Sequence, residues 1–180
     1  TGSMLIGHES VPNLSADAQY NLGIGTGTLD ALTEGDNNVA IGVDALTAST
    51  TGFDNVAVGK LALATNVDGG DNVSVGMESL ANNSSGGRNT AVGSRAMYLN
   101  ATGDRNAAFG YSSGKSGDQN ASFGAYSLTA ITGSNNTAVG YYAGASSGSN
   151  TAITTGTNNV IIGHNAGVEE ANAANRIVIG

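Results

Sequence analysis

A five-residue unit, Asn-x-small-hydrophobic-Gly, recurs along this chain, and the spacing between its copies constrains the fold more than any other feature. It reads Asn38-Val39-Ala40-Ile41-Gly42, then Asn55 to Gly59, Asn72 to Gly76, Asn89 to Gly93, Asn106 to Gly110, Asn120 to Gly124 and Asn136 to Gly140. Divergent copies end at Gly7, Gly25, Thr154, Gly163 and Gly180. From Gly25 to Gly110 the anchoring glycines fall every 17 residues; later steps are 14, 16, an irregular 23, and 17 again. Self-similarity at such a period is the signature of a repeat architecture, in which one short unit cannot bury its own apolar face and stacking buries all of them together.

Two more positions keep phase with the anchor. Three residues after it comes a small residue (Ala45, Ala62, Ser79, Ala96), usually followed by Leu or Met, and ten residues after it comes another glycine (Gly35, Gly52, Gly69, Gly86, Gly103). The alternation in Val39-Ala40-Ile41 and its copies predicts a short strand with residues 39 and 41 on one face and residue 40 on the other. Coils about 4.8 Å apart then form a parallel β-solenoid, and about ten of them give a rod roughly 50 Å long. Stacked asparagines become an amide ladder, and glycine is expected where the coil bends through positive φ.

Composition removes the competing readings. Charged residues are 11% of the chain against about 25% in an ordinary globular domain, Cys is absent, and Gly supplies 28 of 180 positions. The net charge of −8, with only six Lys or Arg, leaves no basic stripe for phosphates, so no nucleic-acid partner is expected. No apolar run approaches the roughly 18 residues of a membrane helix, and no basic-then-apolar segment marks a signal peptide, so a soluble chain without membrane insertion is expected. One face of each strand carries Val, Ile or Phe and the other mostly Ala or Ser. A solvated face would carry more charge, so both faces should be covered. A homotrimer, three identical chains around an axis, supplies the cover most simply. Which face looks inward the sequence leaves open.

The unit resembles the head repeats of trimeric autotransporter adhesins, and the longer stretch from Asn89 to Gly103 is more similar still to the repeat arrays of phage and phage-like tail fibres, which often precede endosialidase-type intramolecular chaperone domains. The 17-residue period favours the tail-fibre likeness over the adhesin heads, whose period is mostly about 14 or 15. The resemblance covers essentially the whole chain. It implies an all-β fold, a left-handed parallel β-roll or β-solenoid with ~17-residue coils assembled as a homotrimer. Residues 1–180 then form a single repeat-built fibre domain, with regular coils over about 4–110 and irregular coils over 111–180. It also implies an extracellular place, on a virion tail fibre or a cell surface, and attachment to a host cell-surface glycan or receptor. The alternatives are a trimeric bacterial adhesin head and a polysaccharide-degrading fibre.

Catalysis is not expected, and neither is a cofactor or a metal. The structural positions are the ladder asparagines (Asn38, Asn55, Asn72, Asn89, Asn106, Asn120, Asn136) and the anchors (Gly42, Gly59, Gly76, Gly93, Gly110, Gly124, Gly140, Gly163). His8 and His164 follow anchors at opposite ends and read as exposed surface residues. Asp54 and Asp71 share one repeat position with Arg88 and Arg105, which reads as a solvated charge row with pairing across coils rather than a calcium site. The two residues after each anchor vary freely, as an outward row would, and four of the six tyrosines lie there: Tyr111, Tyr126, Tyr141 and Tyr142. Tyr rings offer contact area to sugar faces at low entropic cost, so these four are the candidate ligand-binding residues, packing between chains being the alternative. The interval from Gly140 to Gly163 is the longest, so Tyr141, Tyr142 and the stretch from Ala145 to Thr154 are expected to protrude and to carry recognition.

Overall fold

A computed structural model describes residues 2–7, 17–130, 132–145, 154–167 and 172–180. Eleven three-residue strands appear: β1 (Met4–Ile6), β2 (Leu22–Ile24), β3 (Val39–Ile41), β4 (Val56–Val58), β5 (Val73–Val75), β6 (Thr90–Val92), β7 (Ala107–Phe109), β8 (Ala121–Phe123), β9 (Thr137–Val139), β10 (Val160–Ile162) and β11 (Ile177–Ile179). They form one parallel sheet in chain order, and the described residues contain no helix. The architecture is an all-β parallel β-solenoid of about nine turns with ~17-residue coils. Equivalent repeat positions are paired: Val39, Ala40 and Ile41 face Val56, Ala57 and Val58. Where the step shortens to 14 the register still holds, with Phe109 opposite Phe123, so the turns absorb every change of length. His8, with the rest of 8–16, and residues 146–153 lie outside the described residues.

The inward face is the small one. Ala40, Ala57, Ser74, Ala91, Ala108, Ser122 and Ala138 are buried, as are the small residue after each anchor and the Leu or Met that follows it. The flanking strand residues, Val56 and Val58 among them, stay half exposed. The narrow coil explains the choice: its two sides lie so close that the interior accepts one column of Leu46, Leu63, Leu80 and Met97 and little but methyl groups opposite. Departures compensate one another. Ser74 and Ser79 replace an Ala-Ala pair together, and their hydroxyls lie 2.7 Å apart; Ile161 stands at an alanine position, 3.3 Å from where a Cβ on Gly144 would sit.

Hydrogen bonding runs along the stack. From Asn38 to Asn159, each ladder side chain except Asn120 donates Nδ2 to the Oδ1 of the coil before, for example Asn55 to Asn38 at 3.1 Å. The same Nδ2 donates forward to a carbonyl of the following turn, a glycine's as for Asn55 to Gly69 at 2.9 Å and Ala173's for Asn159 at 2.7 Å. The backbone N–H of Asn55 donates to Asn38 Oδ1 as well, at 3.1 Å. Only the 14-residue coil loosens the pattern: Asn120 keeps the backbone bond to Asn106 Oδ1 at 2.9 Å while its Nδ2 turns to Ser116 O at 3.3 Å and Gly133 O at 2.9 Å. Charge pairing across coils occurs where the charge row predicts it, Arg88 lying 3.7 Å from Asp71.

Glycine serves two purposes here. From Gly25 to Gly163 the glycine anchors hold φ between 125° and 137°, and a Cβ on Gly59 would lie 2.5 Å from the Gly76 carbonyl oxygen. The second row has no positive φ; at Gly86 it is the next coil's Gly103 oxygen, 2.5 Å from a Cβ, that excludes a side chain. The expectation that positive φ falls to glycine alone fails elsewhere in the coil. Residues two, four and twelve positions after the anchor are also left-handed, such as Leu61 (φ 59°), Leu63 (φ 52°) and Asp71 (φ 60°). For a leucine that conformation costs about 1–2 kcal/mol, while burying the side chain contributes roughly 1.5–3 kcal/mol. Burial wins at Leu63, which is fully enclosed.

Candidate functional site

The residue after each anchor projects from a glycine bend, and the next one sits in the left-handed region. Neither row is buried among the described residues, so both are free to vary, as the sequence indicates. In the first coils the pairs are Val43-Asp44, Lys60-Leu61 and Met77-Glu78; from Tyr111 onward they turn aromatic.

In register, those aromatic residues form a continuous ladder. Tyr111 meets Tyr126 edge-on with centroids 5.3 Å apart; Tyr126 stacks on Tyr142 at 4.7 Å; Tyr141 packs edge-on against Tyr142 at 4.7 Å and stacks on His164 at 5.4 Å. All four candidate tyrosines are thus brought together, and His164, exposed as expected, extends their row. Ring crowding removes water from the Tyr126 phenol and, with repulsion from the neighbouring phenols, raises its pKa above the ordinary value. The predicted protrusion is corrected in part: Tyr142 is folded into the ladder, and Ala145 is buried. Residues 146–153 of that stretch lie outside the described residues.

Beside the ladder the coil thins. Between Gly110 and Gly124 three residues are missing relative to the regular unit, and Gly114 stands where most coils place Leu or Met, as Gly144 and Gly167 do in later coils. The short coil recedes between its neighbours and leaves an open notch of 350 Å³, within the range of about 300–1,000 Å³ of small-ligand sites. Arg95 and Tyr98 line it from the coil before, Ser112 and Lys115 from the short coil, and Tyr126 and Thr129 from the coil after. Arg95 Nε donates to Glu78 Oε2 at 2.7 Å, and its guanidinium lies 5.3 Å from the centroid of the Tyr98 ring. The Glu78 hydrogen bond and charge raise the Arg95 pKa, keeping it a fixed cation. Lys115 has no carboxylate within ion-pairing distance among the described residues.

Sequence reasoning singled out the tyrosines and missed Arg95, Tyr98 and Lys115. The signal lies in the 14-residue step, which marks a missing piece of wall. The described residues contain no cluster of three or more His, Cys, Asp or Glu able to hold a metal, and no helix long and apolar enough to cross a membrane. Comparison of the chain with protein-family models, with curated proteins and with solved structures finds no match in any of the three.

Proposed function

We propose that this chain is a structural and receptor-binding segment of a homotrimeric, left-handed β-roll fibre of the viral or phage-like tail-fibre kind, placed outside the cell, non-enzymatic, and attaching to a host-surface glycan. The observation that carries the reading is the aromatic ladder from Tyr111 to His164, with Tyr111, Tyr141 and His164 exposed and Tyr126 and Tyr142 half-buried between them. Stacked rings at coil spacing match a chain of sugar residues, whose apolar faces pack on tyrosine. Trimer formation is supported by the outward sheet face, an uncharged row running through Ile41, Val58, Val75, Val92, Phe109 and Phe123 that the single chain leaves only partly covered. Three copies of a weak site at fixed separation would raise avidity.

Two measurements test the proposal together. Sedimentation equilibrium is expected to give three times 17.7 kDa; a stable monomer at micromolar concentration refutes the assembly. A glycan array is expected to show binding without product release, lost on replacing Tyr111 and Tyr141 with Ala in a protein of unchanged native mass. Release of shortened chains would identify a polysaccharide-degrading fibre instead, and binding indifferent to both substitutions would move the site off the ladder.

A further inference from the structure

The notch at the short coil differs from the ladder in one respect: it combines rings with cations. The chain has six Lys or Arg against fourteen Asp or Glu, yet two of the six line this one recess. Their arrangement is unequal. Arg95 is balanced and oriented by Glu78, which takes its Nε edge and leaves most of its five N–H donors to a ligand. Lys115 has no balancing carboxylate among the described residues, so the pair of cations with Glu78 leaves one net positive charge in the recess. Ring surface is supplied by Tyr98 and Tyr126, and hydroxyls by Ser112 and Thr129.

The geometry points to a binding site for a sugar residue bearing a single carboxylate, of the uronic or sialic acid class, with Lys115 and Arg95 receiving the carboxylate and Tyr126 the ring face. This rests on the glycan-attachment reading and adds to it the charge of the sugar. Phosphate clusters and other dense polyanions fit poorly, because one net charge does not balance several and the remaining surface is acidic. A neutral sugar would leave Lys115 without a counter-charge in a half-buried wall, which is the physical basis of selectivity. The notch exists because three residues are absent, so no regular coil of this chain can offer the same recess.

The test uses matched pairs of oligosaccharides containing uronic or sialic acid, each beside its carboxyl-reduced neutral twin, titrated against the whole chain by calorimetry. The acidic member is expected to bind about tenfold more tightly, and Lys115→Gln is expected to bring the twins to near parity at unchanged native mass. Tyr126→Ala is expected to weaken both twins. Equal binding of the twins to the unaltered protein overturns the charge inference while glycan attachment stands. Preference for the acidic twin that survives both Lys115→Gln and Arg95→Gln places the charge recognition elsewhere and also overturns it. Failure of every pair to bind sinks the glycan reading along with it.

Discussion

Asn72 shows how much one side chain carries in a stacked coil. Its Nδ2 donates to Asn55 Oδ1 at 3.1 Å and Gly86 O at 2.9 Å, and its Oδ1 accepts from the Asn89 backbone at 3.0 Å. Asn72→Ala strands buried partners on both neighbouring coils and is expected to cost about 3 kcal/mol, read as a lower urea midpoint. Asn72→Asp, almost the same shape but unable to donate, is expected to cost more, because it also buries a charge; equal stability of the aspartate variant would show that shape and not hydrogen bonding holds the ladder. Tyr126 gives a pH-dependent counterpart. Its folded pKa is raised above the ordinary value near 10, so its contribution is fully present below the unfolded pKa and is lost as pH rises through the folded one. Melting temperature is therefore expected to fall through the alkaline range, and Tyr126→Phe to flatten that fall. The asparagine ladder was legible in the sequence because each of its members recurs at one phase. The left-handed residues were not, since Leu63 and Asp71 share only a conformation imposed by the neighbouring coils. Asn37-Asn38 and Asn135-Asn136 hint at it: the first asparagine of each pair is left-handed and the second is the ladder member.

At the scale of the coil, the short unit is where regularity ends. Gly114 interrupts the Leu column, and a second, shorter amide ladder, Asn66–Asn83–Asn100, ends there too. Asn100 Oδ1 is buried without a partner, as is Ser122 Oγ across the break. Met97 leans into the gap, its Cγ 3.1 Å from where a Cβ on Gly114 would be, as a flexible thioether side chain can. The buried apolar residues accordingly fall into two clusters, one from Ala18 to Ala108 and one from Leu128 to Ala173. Native-state hydrogen exchange is expected to resolve two protection groups with a minimum over residues 111–127. A single exchange unit spanning both clusters would contradict this. Strand existence and register could be read from the sequence because Asn, hydrophobic and Gly positions mark every copy. The break was visible only as a number, and its consequence, a notch lined by Arg95 and Lys115, depends on which side chains the neighbouring coils place across a gap.

For the whole molecule, the decisive asymmetry is between the two faces of one strand. Ala57 is enclosed within its own chain, whereas Val58, next to it, faces outward and is half exposed. Ala57→Asp is expected to destabilise the fold by several kcal/mol, roughly 3–5, seen as loss of the circular-dichroism transition. Val58→Asp is expected to leave the coil folded and to abolish the proposed trimer, read by sedimentation; a trimer unaffected by it would mean that this face meets no other chain. The sequence disclosed both faces but not their sides, because inward and outward follow from the width of the coil and not from the alternation itself. The in-phase register has one more consequence. Since each turn repeats the one before and changes of length are absorbed in the bends, reach along the axis is quantised: copying residues 55–71 as a block would lengthen the rod by one step of about 4.8 Å while leaving every inter-coil contact type in place. Such a molecule is a ruler graduated in whole coils, adjustable by duplication without redesign, with the short coil as the mark along it where the proposed ligand would be read.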